Sequence, residues 1–108
     1  MKLKCIIVDD EPLARNFLER YCKKQGSLEV MGLFPDSETA LNYLTGNEID
    51  ILFLDVEMPG HTGFELLDKL QYMPKVILTT SKTDYAFDAF QYNVTDYLKK
   101  PISYNRFQ

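Results

Sequence analysis

ILFLDVEMPG, residues 51–60, sets four apolar side chains in a row, closes them on Asp55, and reaches a turn at Pro59-Gly60. An unbroken apolar run this short predicts a strand at Ile51–Leu54 buried on both faces. Working toward the N-terminus, residues 37–47 carry Ala40, Leu41 and Leu44 at helical spacing, with Asp36 or Ser37 as the cap and Gly46-Asn47 as the stop. Before them comes a strand pattern at Leu28–Phe34. A longer helical face precedes that, made of Leu13, Ala14, Phe17, Leu18, Tyr21 and Cys22, with Pro12 at its start and Gly26 after Lys23-Lys24 at its end. Leu3–Val8 reads as the first strand. Toward the C-terminus follow a short helix face of Phe64, Leu67 and Leu70, a strand at 76–78, a short helix at 85–90 and a brief strand at 96–98.

Strict alternation of strand and helix predicts an α/β fold: a parallel sheet with right-handed crossovers and helices on both faces. The 108 residues suit one domain, 1–108, large enough to bury about two-thirds of the surface its unfolded chain exposes. Ser103 stands where a fifth helix would begin, and residues 102–108 predict that this helix is cut short. Sixteen acidic against twelve basic residues give a net charge of −4, with no Lys/Arg stripe to grip a phosphate backbone. Acids at Asp9 and Asp10 interrupt any signal-peptide core, and no apolar stretch approaches bilayer-spanning length, so a cytoplasmic location is expected. Cys5 and Cys22 read as reduced, buried thiols.

Ligands bind outside the carboxyl ends of the strands in open parallel sheets. The unusual polar residues of this chain fall there. Asp9 and Asp10 follow the first strand, Asp55 closes the third, Thr79 and Thr80 close the fourth, and Lys99 and Lys100 follow the fifth. Three carboxylates at one rim repel unless a cation intervenes or protons are taken up. A hard, few-liganded oxygen site suits Mg²⁺, a nearby ammonium suits a phosphoryl oxygen, and a carboxylate can itself accept a phosphoryl group. The chemistry that fits is Mg²⁺-assisted phosphorylation of an Asp. This reading of the residues leaves Thr79 against Thr80, and Lys99 against Lys100, open.

The segments IIVDDEP (6–12), LFLDVEMPG (52–60), VILTTS (76–81) and DYLKKPI (96–102) together resemble the receiver domain of bacterial two-component response regulators. The stretch from Thr79 to Pro101 is most similar to the subfamily with a LytTR-type DNA-binding output. The resemblance implies a flavodoxin-like (βα)5 three-layer sandwich with strand order 2-1-3-4-5. It implies Asp55 as phosphoacceptor from a sensor histidine kinase, with Mg²⁺ held by Asp9, Asp10, Asp55 and the backbone carbonyl of Glu57. Lys100 would pair with Asp55 and the phosphoryl oxygens, with Lys99 facing away. Thr80 would be the switch hydroxyl, Tyr97 the aromatic coupled to it, and Lys100–Pro101 a cis bond. Glu57 and Lys82 occupy positions that tune dephosphorylation, and Ser81 stands where the family often has Ala. A homodimer through the fourth helix and fifth strand is implied, as is DNA binding only through an output domain absent from this chain.

Plainer roles fit other residues. His61, the single histidine, lacks partners at ligand spacing and reads as a loop residue. Glu11 suits the positive end of the first helix, and Lys23-Lys24 its negative end. Phe87, Phe90, Tyr92 and Tyr97 read as core or partner face. Two other functions compete. A metal-dependent phosphatase with an aspartyl intermediate would use the same carboxylates, and Glu57 stands two residues after Asp55, but a lid is missing from so short a chain. A phosphorylation-independent interaction module would normally have lost part of the acidic set. The expectation is therefore a regulatory phosphoacceptor, not a turnover enzyme.

Overall fold

The computed structural model describes residues 2–56, 63–70, 74–80 and 96–99, with backbone only at 63–65, 96–97 and 99. Its elements in chain order are β1 (Leu3–Val8), α1 (Pro12–Gln25), β2 (Leu28–Phe34), α2 (Ser37–Gly46), β3 (Ile51–Asp55), α3 (Gly63–Asp68), β4 (Lys75–Thr80) and β5 (Asp96–Lys99). All neighbouring strand pairs are parallel, and the order is β2-β1-β3-β4-β5, as the resemblance implies. The predicted helix at 85–90 and the predicted short fifth helix lie outside the described residues.

The sheet divides the core in two because strand side chains alternate. Ile6, Val8, Leu52, Leu54, Val76 and Leu78 point to the face covered by Ala40 and Leu44 of α2 and Leu66 and Leu67 of α3. Cys5, Ile7 and Phe53 point to the other face, where Leu18 and Cys22 of α1 cover them. Both cysteines are free and buried, with their Sγ atoms 4.0 Å apart. The Cys22 thiol is pushed well above its ordinary value by its contact with Cys5 and by burial.

Helix boundaries follow local chemistry. Pro12 opens α1, where a missing N–H costs nothing, and Gly26 ends it in the left-handed region (φ 70°), donating its N–H to the Lys23 carbonyl. For α2 the cap is Asp36 rather than Ser37, its carboxylate accepting from the Thr39 N–H at 2.8 Å.

Two expectations change. The sheet covers only part of the apolar stripe of α1: Leu13 is 70% and Phe17 48% exposed, with the Arg20 guanidinium 6.0 Å from the Phe17 ring centroid. Helical period marks a stripe without saying how wide the covering surface is. The third helix also ends at Asp68, so Leu66 and Leu67 make its buried contact while Leu70 lies beyond it. Among the described residues, no helix is long and apolar enough to cross a membrane.

Candidate functional site

Where β1 ends, three hydrogen bonds fix the next residue. The Asp9 N–H donates to the Phe34 carbonyl at 3.0 Å, which carries the ladder to β2 one step past the strand. The Glu11 N–H donates to Asp9 Oδ1 at 2.9 Å, turning the chain toward α1. From the first turn of that helix, Arg15 Nη1 reaches back to the Asp9 carbonyl at 2.6 Å, a short, charge-assisted bond. Asp9 is thereby held fully buried at the tip of β1.

Asp55 is delivered by register. Val8 pairs with Leu54, so the next step along the strands sets Asp9 beside Asp55, and Asp55 pairs in turn with Thr79. Just beyond, the Val56 N–H donates to the Thr79 carbonyl at 3.0 Å. Asp55 is 2% exposed.

Carboxylate oxygens of Asp9, Asp10, Glu11 and Asp55 all lie within 4.8 Å of one another. At an effective dielectric of about 20, two unit charges that close repel by about 3 kcal/mol. The donor set is all hard oxygen, the kind that selects Mg²⁺ or Ca²⁺ over softer ions. An octahedral ion with oxygens at about 2.1 Å holds its ligands roughly 3 to 4.2 Å apart. Oxygens within 4.8 Å of one another are close to that spacing, so these four residues could hold a divalent cation.

Of the residues read from the sequence, the structure brings Asp9, Asp10 and Asp55 together at one rim. Thr80 sits fully buried at the end of β4. Lys99 is the last residue of β5 rather than the first beyond it. Tyr97 pairs with Leu78 through its backbone. Its side chain, together with Glu57, Lys82, Lys100, the Lys100–Pro101 bond and His61, lies outside the described residues. Glu11 does more than its expected part at the helix end. It occupies the N-cap position without a side-chain capping bond, and its carboxylate joins the cluster instead. Arg15 was not anticipated at all, because a bond reaching back six residues obeys no helical or strand period.

Residues 5–108 match the response regulator receiver domain family. The transcriptional regulatory protein LytR of Staphylococcus aureus is 38% identical over 109 residues, covering 98% of this chain and 44% of that protein. The chain thus spans less than half the length of that relative. Among solved structures, the response regulatory domain of mrkE from Klebsiella pneumoniae superposes with a TM-score of 0.90 at 31% identity, covering 97% of this chain and 88% of that one. The response regulator TrrA of Thermotoga maritima, solved in complex with Mg²⁺-BeF, gives 0.85 at 28% identity, covering 99% and 93%. With its sheet order and clustered rim acids, this chain belongs to the response regulator receiver domain family.

Proposed function

We propose that Asp55 is the phosphoacceptor of a two-component signalling switch. The observation that carries this reading is the meeting of four carboxylates from two strand ends, with Asp9 and Asp55 buried among them. So much like charge in one place suits a group that is neutralised in use. Asp9, Asp10 and Asp55, with the Glu57 carbonyl, would hold Mg²⁺, which when bound offsets charge on the phosphoryl oxygens. An Asp55 carboxylate oxygen forms the new P–O bond as the P–N bond of a sensor kinase's phosphohistidine breaks, and the imidazole keeps that electron pair. Lys100 answers the added charge. Thr80 then moves toward the phosphoryl group, and Tyr97 turns inward behind it.

In this reading the chain is a regulatory phosphoacceptor in the cytoplasm, not a turnover enzyme. It passes the signal to a homodimer contact on the face around β5, or to a DNA-binding output domain. The TrrA complex supports the metal assignment, since a fluoroberyllate with Mg²⁺ resembles a phosphoryl group on a carboxylate. The test is intact-mass measurement after incubation with Mg²⁺ and phosphoramidate, a small P–N donor. The wild-type chain should gain one phosphoryl group and Asp55→Asn none. Equal gain by both proteins would sink the assignment.

A further inference from the structure

Thr79 has no task in the chemistry proposed above, yet it is the residue in direct register with Asp55. Neighbouring strands lie about 4.8 Å apart, and register partners in parallel strands send their side chains to the same face. Alternation gives Asp55 and Thr79 the face of Phe53 and Ile77, opposite to Leu54 and Leu78. Asp9, one step beyond Val8 and so two beyond Ile7, completes the row on the other side of Asp55. Thr79 is 1% exposed, and its Oγ1 finds no hydrogen-bond partner among the described residues. A buried hydroxyl without a partner forfeits the bonds it made to water, a cost that valine, of nearly the same shape, would avoid.

We propose that the Thr79 hydroxyl acts on the Asp55 carboxyl group during loss of the phosphoryl group, shortening the lifetime of the phosphorylated state. This rests on Asp55 being the phosphoacceptor. In hydrolysis a water oxygen bonds to phosphorus while the bond from phosphorus to the Asp55 oxygen breaks. The electron pair of that bond returns to the carboxylate, and the water's proton passes to solvent. Negative charge therefore grows on the Asp55 carboxyl group as the reaction proceeds. A donor beside it is worth more in that transition state than in the acyl phosphate, where the carboxyl oxygens carry less charge. Register puts Thr79 directly across from Asp55 on the same face of the sheet, whereas Thr80, one residue nearer the strand end, falls by alternation on the opposite face. The two hydroxyls thus have separate duties.

The experiment loads the full chain with phosphoramidate and Mg²⁺, removes the donor, and follows phosphoryl loss by intact mass. Thr79→Val should lengthen the lifetime about fivefold, the effect of roughly one hydrogen bond. Thr79→Ser, which keeps the hydroxyl and loses the methyl, should decay like the wild type. Equal lifetimes for wild type and Thr79→Val overturn the proposal, and so does a Thr79→Ser lifetime as long as that of Thr79→Val. Thr79→Ala, which also lacks the hydroxyl and adds no bulk, should lengthen the lifetime as Thr79→Val does. A wild-type lifetime in that variant overturns the proposal even if the valine variant folds poorly. Absence of phosphoryl uptake by the wild-type chain overturns the Asp55 reading instead, and this proposal with it.

Discussion

The two ends of the sheet handle carboxylates in opposite ways. At the amino end, Asp50 is exposed and every one of its polar backbone groups is engaged. Its N–H donates to the Lys4 carbonyl at 2.8 Å, its carbonyl accepts from the Lys75 N–H at 3.0 Å, and its Oδ2 accepts from the Lys4 N–H at 2.8 Å. One acid thereby ties the starts of β1, β3 and β4 together. At the carboxyl end, four acids crowd within 4.8 Å, two of them buried. An isolated carboxylate that accepts backbone N–H bonds stabilises; several that share a site repel. Hence the amino end serves the fold, and the carboxyl end holds charge that the fold alone does not need.

The strongest way to break this contrast is to neutralise one acid at each end and add Mg²⁺. Without divalent cations, Asp55→Asn should raise stability by about 1 to 2 kcal/mol, because it removes part of a repulsion of about 3 kcal/mol per close pair. For a domain of this size that is a rise in Tm of roughly 4–8 °C per kcal/mol. With free Mg²⁺ at about a hundred times its dissociation constant, the wild type should gain about 2.7 kcal/mol and overtake the variant. Thermal unfolding with and without Mg²⁺ reads both signs. A variant that is less stable than wild type in EDTA would show that the rim acids support the fold after all.

The matching change at the amino end has the reverse sign and a smaller size. Asp50→Ala removes the bond to the Lys4 N–H and should cost about 1 kcal/mol, the size of an ordinary net hydrogen bond, because at an exposed site solvent screens the charge. Since Asp50 lies at the far end of the strands from the acid cluster, Mg²⁺ should stabilise Asp50→Ala as much as it does the wild type. A smaller Mg²⁺ shift in this variant would show that the two ends are coupled.

Much of this contrast was readable in the order of residues, and the exceptions have a common cause. The apolar run Ile51–Leu54, the alternation of strand and helix from β1 to β4, and the acids at strand ends are local patterns, and among the described residues each lies where it is expected. Strand order came with the family resemblance, since nothing in a single strand names its neighbours. Leu13 and Phe17 continue the period of α1, but only the extent of the sheet decides that they stay exposed. Thr79 and Thr80 are chemically the same in sequence; register alone sets Thr79 beside Asp55. The reach of Arg15 back to the Asp9 carbonyl depends on the turn between β1 and α1, a feature with no repeat to detect. What failed to show was in each case a relation between segments.

The smallest effect separates position from chemistry. Asp36 also lies at the carboxyl end of the sheet, two residues beyond β2, yet it stands outside the acid cluster and behaves like Asp50. Its carboxyl is held below the ordinary Asp value chiefly by the Thr39 N–H and then by the Thr39 hydroxyl. A carboxyl whose folded pKa is depressed contributes its stability above the unfolded value, near 3.8, and loses it as pH falls through the lower folded one. Asn caps helices about as well as Asp but does not titrate in this range. Asp36→Asn should therefore differ little from wild type above about pH 5, and the difference should move in favour of the variant as the pH drops below 4. Urea unfolding of the two proteins across that range measures it. If the gap between them stays constant down to the acid limit, the Thr39 N–H is not answering a carboxylate charge. The division between stabilising and crowded acids would then have to be drawn by burial alone.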